Sequence, residues 1–228
     1  MQAKGAFPPP GERLFVILGA YGTGKTEFSV NLALALAAQG RKTALADLDL
    51  VNPYFRSREK ATELESRGVE LIAPTGALRH ADLPSIPPRL PALVNGPDLA
   101  GVIDAGGDPA GSRVLASFAP DLRRRKSRVW YVLNRSRPEN ADAERALASL
   151  RAVEAACGLE VNGLVSNTHL IGATTAQTVR EGAAFADLVS QKSGLPVACY
   201  AAARSLAGEL WDLEPLFPLD LYMKRPWE

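Results

Sequence analysis

Short apolar runs alternate with longer helix-type stretches along almost the whole chain. The runs at 14–18, 43–46, 69–72, 101–103, 128–133, 161–165 and 197–200 are nearly continuous in apolar residues, the pattern of strands buried on both faces. Between them, the stretches at 26–39, 55–67, 111–118, 139–157, 173–193 and 202–211 suit helices. In the first of these, Phe28, Val30, Leu32, Leu34 and Leu36 supply the packing side chains. Such alternation predicts parallel strands joined by right-handed crossovers, with helices on both faces of the sheet. The expected fold class is therefore α/β, in three layers around a mostly parallel sheet. Residues 84–97 hold five prolines and predict a connector, with a helical turn near 90–93.

The same pattern divides the chain. Residues 1–12 are polar and proline-rich and are expected to be flexible; 13–209 form one domain; 210–228 form an apolar tail containing prolines. That tail is expected to pack on the domain, because a free segment so apolar invites aggregation. A length of 228 residues suits one large α/β domain.

Composition narrows the function classes. With 26 basic and 25 acidic residues, the net charge of +1 carries no general nucleic-acid signal. Arg123-Arg124-Arg125-Lys126 predicts a solvated turn. Cys157 and Cys199 lie far apart, so a reducing cytoplasm is the expected location. No run approaches the roughly 20 apolar residues of a membrane span. His80 and His169 have no metal-ligand spacing.

The strongest chemistry sits between the first strand and the first helix. Residues 19–26 read Gly-Ala-Tyr-Gly-Thr-Gly-Lys-Thr, a complete Gly-x-x-x-x-Gly-Lys-Thr loop in the strand–turn–helix context it requires. Gly19, Gly22 and Gly24 let backbone N–H groups turn around phosphate oxygens, and the helix start adds positive partial charge. Tyr21, Thr23 and Glu27 complete the candidate binding segment. Lys25 is expected at the β- and γ-phosphates, and the Thr26 hydroxyl on Mg²⁺. The predicted ligand is a nucleoside triphosphate with Mg²⁺.

Ligands of open α/β sheets sit beyond the carboxyl ends of the strands. The run 43–46 ends in Asp47-Leu48-Asp49, carboxylates suited to orienting water and holding the metal's hydration shell. The run 101–103 ends in Asp104-Ala105-Gly106-Gly107-Asp108: Asp104 suits the metal, the Gly107 N–H the γ-phosphate, and Asp108 the metal or attacking water. The run 161–165 ends in Ser166-Asn167-Thr168-His169. Asn167 is placed to bond the base, with Asn134 as rival. No carboxylate stands at 169 to pair with guanine, which favours adenine and hence ATP.

These pieces, in this order, resemble the MinD/ParA and nitrogenase-iron-protein superfamily of P-loop NTPases (CobQ/CobB/MinD/ParA nucleotide-binding domains) over roughly residues 13–200. The resemblance implies a P-loop NTPase fold, with Asp47-Leu48-Asp49 as switch I, Asp104-x-x-Gly107-Asp108 as switch II, and Asn167 at the adenine-contacting strand end. It implies a Mg²⁺-dependent ATPase that acts as a switch on an unknown protein partner, with a homodimer around ATP as one arrangement. Partners across the superfamily are septum-placement, DNA-segregation and metallocluster-maturation factors. One departure stands out: Ala20 occupies the place of a second lysine that reaches the partner subunit's nucleotide. Arg56 and Arg58 are the substitutes on offer, since arginine grips phosphate oxygens bidentately. Members resembling dethiobiotin or cobyrinate amidating synthetases also lack that lysine. They supply the alternative, an ATP-dependent synthetase or kinase in which Asn52, Arg56 and Arg58 hold an anionic small molecule.

Overall fold

The computed structural model describes residues 7–49, 61–73, 87–96 and 98–222. Among the described residues eight strands form one sheet: β1 (Leu14–Gly19), β2 (Thr43–Leu48), β3 (Val69–Ile72), β4 (Ala100–Ala105), β5 (Arg128–Leu133), β6 (Gly163–Ser166), β7 (Val197–Ala203) and β8 (Leu216–Leu219). Their order is β3-β2-β4-β1-β5-β6-β7-β8, and every pairing is parallel. The helices are α1 (Lys25–Ala38), α2 (Ala61–Ser66), α3 (Leu90–Asn95), α4 (Pro109–Ser112), α5 (Ala119–Arg124), α6 (Ala143–Cys157) and α7 (Ala176–Ser193).

Alternation along the strands builds two cores. Leu14, Val16 and Leu18 face a layer containing Leu90 of α3, Leu122 of α5, Leu150 of α6 and Val189 of α7. Phe15 and Ile17 face the opposite layer, with Phe28, Leu32 and Leu36 of α1 and Leu64 of α2. Helices on both faces make the three-layer α/β fold that the strand–helix alternation predicts.

Seven of the strands lie where the apolar runs place them. The eighth, β8, is absent from the sequence reading, and 3-10 turns at Arg204–Glu209 replace most of the helix expected at 202–211. Phe7 packs on Trp130 and Phe217, with ring centroids 5.7 and 4.8 Å apart, so the described part of the N-terminal segment lies on this core. Arg124 and Arg125 of the basic run donate to Asn95 Oδ1 and to the Leu93 and Val94 carbonyls, docking α5 onto α3. Both cysteines are buried thiols. No described helix is long and apolar enough to cross a membrane.

Candidate functional site

Because β1 ends at Gly19 and α1 starts at Lys25, residues 19–26 form the connecting loop at the carboxyl edge of the sheet. Gly19 and Gly24 take φ of 146° and 84°, and neither has room for a side chain. A Cβ would lie 2.6 Å from the Val132 carbonyl oxygen at Gly19, and 2.4 Å from Asn167 Nδ2 at Gly24. No side chain caps α1 at Gly24, which leaves the N–H groups of the first turn and the positive helix end for an anion. The Ala20 carbonyl gathers the loop, accepting from the Thr23 hydroxyl at 2.9 Å and from Lys25 Nζ at 3.1 Å. Lys25 is 5% exposed; burial lowers its pKa against the opposing pull of Asp104, Asp49 and Asp108.

The β4 side of the loop is acidic. Parallel register pairs Asp47 on β2 with Asp104 on β4, and strand alternation turns both toward the α1 layer. Asp104 is fully buried, and its pKa is pushed up to about 7, first by burial and then by the Asp47 charge. Lys25 and the nearby Thr26 hydroxyl hold it down against a further push from Asp49. Ser29 Oγ donates to Asp104 Oδ1 at 3.2 Å, while Oδ2 is buried with no aligned donor among the described residues. An orphaned carboxylate oxygen beside a P-loop threonine suits a divalent cation. No three His, Cys, Asp or Glu side chains among the described residues could hold a metal by themselves. That is the donor set Mg²⁺ takes in phosphate sites, where one or two carboxylates join phosphate oxygens and water.

The other candidates on this side divide. Asp49 is 5% exposed, and its N–H donates to Asp47 Oδ1 at 3.2 Å. The Gly107 backbone lies against the loop, since a Cβ there would stand 2.7 Å from Lys25 Nζ. Asp108 is exposed and caps α4, accepting from the Gly111 N–H at 2.6 Å. Tyr21 points its ring outward, 62% exposed. Glu27 Oε1 accepts from the Tyr222 N–H at 2.7 Å, fastening residue 222 to the first turn of α1. Asn31 extends the same fastening, exchanging two hydrogen bonds of 2.8 and 2.9 Å with the backbone of Asp220. Asn52, Arg56, Arg58 and His80 lie outside the described residues.

The β5–β6 side carries amides and a cation instead. Asn167, 4% exposed, gives its Nδ2 to the Thr23 carbonyl at 2.8 Å. Asn134 staples two loops together, its Oδ1 accepting from the N–H of Ser136 at 2.9 Å and of His169 at 3.4 Å. Arg137, which the sequence reading did not single out, donates from Nε to the Gly22 carbonyl at 2.7 Å. His169 lies behind Gly24; burial and then the Arg137 charge push its pKa down to about 4, so it is neutral at pH 7. Between the two loops opens a cleft of about 260 Å³ bordered by Arg135, Ser136, Thr168 and Leu170. The signal for Arg137 is faint: one of two arginines in the polar loop after β5.

Known proteins share this fold. Among solved structures, the signal recognition particle 54 kDa protein of Aeropyrum pernix K1 in complex with GDP is 20% identical, with a TM-score of 0.54. The match covers 84% of this chain and 42% of that one. The signal recognition particle receptor FtsY of Elizabethkingia anophelis in complex with GDP is 20% identical, at a TM-score of 0.52 over 82% of this chain and 56% of that one. Chloroplast FtsY of Physcomitrella patens is 18% identical, at 0.51, covering 82% and 57%. These likenesses show the fold, and the chain spans about half the length of each. A search of curated proteins finds no matching sequence. The CbiA family profile, described as the CobQ/CobB/MinD/ParA nucleotide binding domain, matches residues 14–181. The chain belongs to that family of P-loop nucleotide-binding domains.

Proposed function

We propose that the protein is a Mg²⁺-dependent ATPase whose binding and hydrolysis of ATP switch its hold on a protein partner. One observation carries the reading: Lys25, Asp49 and Asp104, from three different parts of the chain, converge on a single phosphate loop. Lys25 and the N–H groups of residues 22–26 hold the phosphates, with Gly107 close enough to sense the terminal one. Thr26 and Asp104 hold Mg²⁺, which when bound neutralises charge on the phosphates. Asp47 and Asp49 orient the attacking water. Adenine is favoured by the fixed amide of Asn167. With Nδ2 spent on the Thr23 carbonyl, Oδ1 is left as an acceptor, suited to adenine's 6-amino group and opposed to guanine's 6-oxo group.

A second reading, an ATP-dependent small-molecule synthetase or kinase, draws on Ala20, which is 1% exposed and supplies no charge to a partner subunit. Steady-state turnover separates the two. Hydrolysis of ATP without any acceptor, lost in Lys25→Ala and accelerated by a protein, supports the switch. ADP release that appears only with an added carboxylate or amine replaces it with the synthetase.

A further inference from the structure

The order of strands gives the phosphate loop two unlike neighbours. β1 lies between β4, with Asp104 and Gly107 at its carboxyl end, and β5, beyond which lies β6. Lys25 Nζ and the acidic group gather on the β4 side, the end that handles metal and terminal phosphate. A nucleotide whose terminal phosphate is held there must direct its nucleoside to the opposite side, over the loops that follow β5 and β6.

On that side the Arg137 side chain reaches the phosphate loop. Its Nε donates to the Gly22 carbonyl at 2.7 Å, and a Cβ on Gly22 would lie 3.0 Å from Nε and 3.1 Å from Cζ. The guanidinium is therefore laid along the loop and fixed there by one edge. Its terminal amino groups make no hydrogen bond or ion pair among the described residues. The cleft between the β5 and β6 loops is bordered by Arg135 and Ser136, which precede Arg137 in the same loop, and the His169 ring lies against the phosphate loop at Gly24, as the guanidinium does at Gly22. A planar cation held by one edge, with its faces and other donors unspent, is suited to lie against a flat base.

We propose that Arg137 is a nucleoside-positioning residue, whose guanidinium stacks on the base of the bound nucleotide while its Nε bond to Gly22 couples that contact to the phosphate loop. This deepens the nucleotide-binding reading and rests on it. Stacking is indifferent to which purine is present, because every base offers a π-face. Arg137 therefore sets nucleotide affinity, and the choice between adenine and guanine rests with other groups.

Calorimetric titrations of the full chain with ATP, GTP and inorganic tripolyphosphate, each with Mg²⁺, test this in Arg137→Ala and Arg137→Lys. In Arg137→Ala, ATP and GTP should each bind about tenfold more weakly. Tripolyphosphate, which has no base, should bind within about twofold of wild type, and its binding reports an intact loop. Arg137→Lys should recover little, because an ammonium reaches the Gly22 carbonyl but offers no planar face. Equal weakening of all three ligands would reduce Arg137 to a prop for the loop and overturn the proposal. Full recovery by lysine, or unchanged nucleotide binding in Arg137→Ala, would overturn it as well. Failure of the underlying reading looks different: Lys25→Ala would then bind all three ligands as wild type does.

Discussion

The two flanks of the phosphate loop solve opposite problems. On the β4 flank three carboxylates and a lysine are buried together, and Asp104 carries an oxygen with no aligned donor. On the β5–β6 flank the buried groups are mainly amides, most with a named partner: Asn167 on Thr23, Asn134 on Ser136 and His169, while Asn140 Nδ2 has none among the described residues. The first flank is held in electrostatic tension of the kind a bound cation relieves. The second has most of its buried amide groups bonded within the protein and serves as a rigid wall. Unsatisfied buried charge marks where chemistry is handled; satisfied buried amides mark where shape is kept.

Four substitutions press on that contrast. Lys25→Ala removes the buried cation of the acidic flank and should weaken nucleotide binding by about 100-fold or more, measured by calorimetry. On the wall, His169 is neutral in the fold. The folded pKa is depressed, so between about pH 6.5 and pH 4 the unfolded chain takes up a proton that the folded one refuses. Stability should therefore be full above pH 6.5 and fall through that window by about 2 kcal/mol. His169→Gln should flatten the slope in denaturant titrations at pH 7 and pH 4.5; an unaltered slope would show that His169 does not cause it.

Asp104→Asn should separate the flanks further. Binding loses its Mg²⁺ dependence, while the nucleotide-free protein gains about 1–2 kcal/mol because a buried charge is gone. A lower melting temperature in the variant would contradict that assignment. The smallest effect belongs to Asn167→Ala. It frees the Thr23 carbonyl, costs about 1 kcal/mol of stability, and should narrow any preference for ATP over GTP by about fivefold. An unchanged ratio would confine Asn167 to the wall.

The two flanks also differ in how plainly the sequence announces them. Asp47 and Asp104 stand at the carboxyl ends of buried strands, and the phosphate loop follows another, so local pattern alone locates them. The partner of Asn167 is 144 residues away, and that of Arg137 is 115 away, distances over which no local pattern speaks. The same limit applies to the fold. β5 is visible as six consecutive residues rich in apolar and β-branched side chains. β8 is four residues long and contains Pro218, which reads as loop but is tolerated on an edge strand, where a backbone donor can be spared. Asp108, placed after a strand, carries two roles at once: its Oδ1 caps α4, and its charge acts on Lys25.

The fastening of Glu27 to the N–H of Tyr222 spans 195 residues, and Phe28 of α1 meets Phe217 of β8 edge-on at 5.5 Å. During synthesis the phosphate loop therefore leaves the ribosome long before its own helix can be covered. At about 5–20 residues per second that interval is roughly 10–40 s. For that time the apolar face of α1 has no β8 to lie against, and the nascent chain is open to aggregation or to a chaperone. The helix that opens at the phosphate loop is made 195 residues before the backbone group that fastens its first turn.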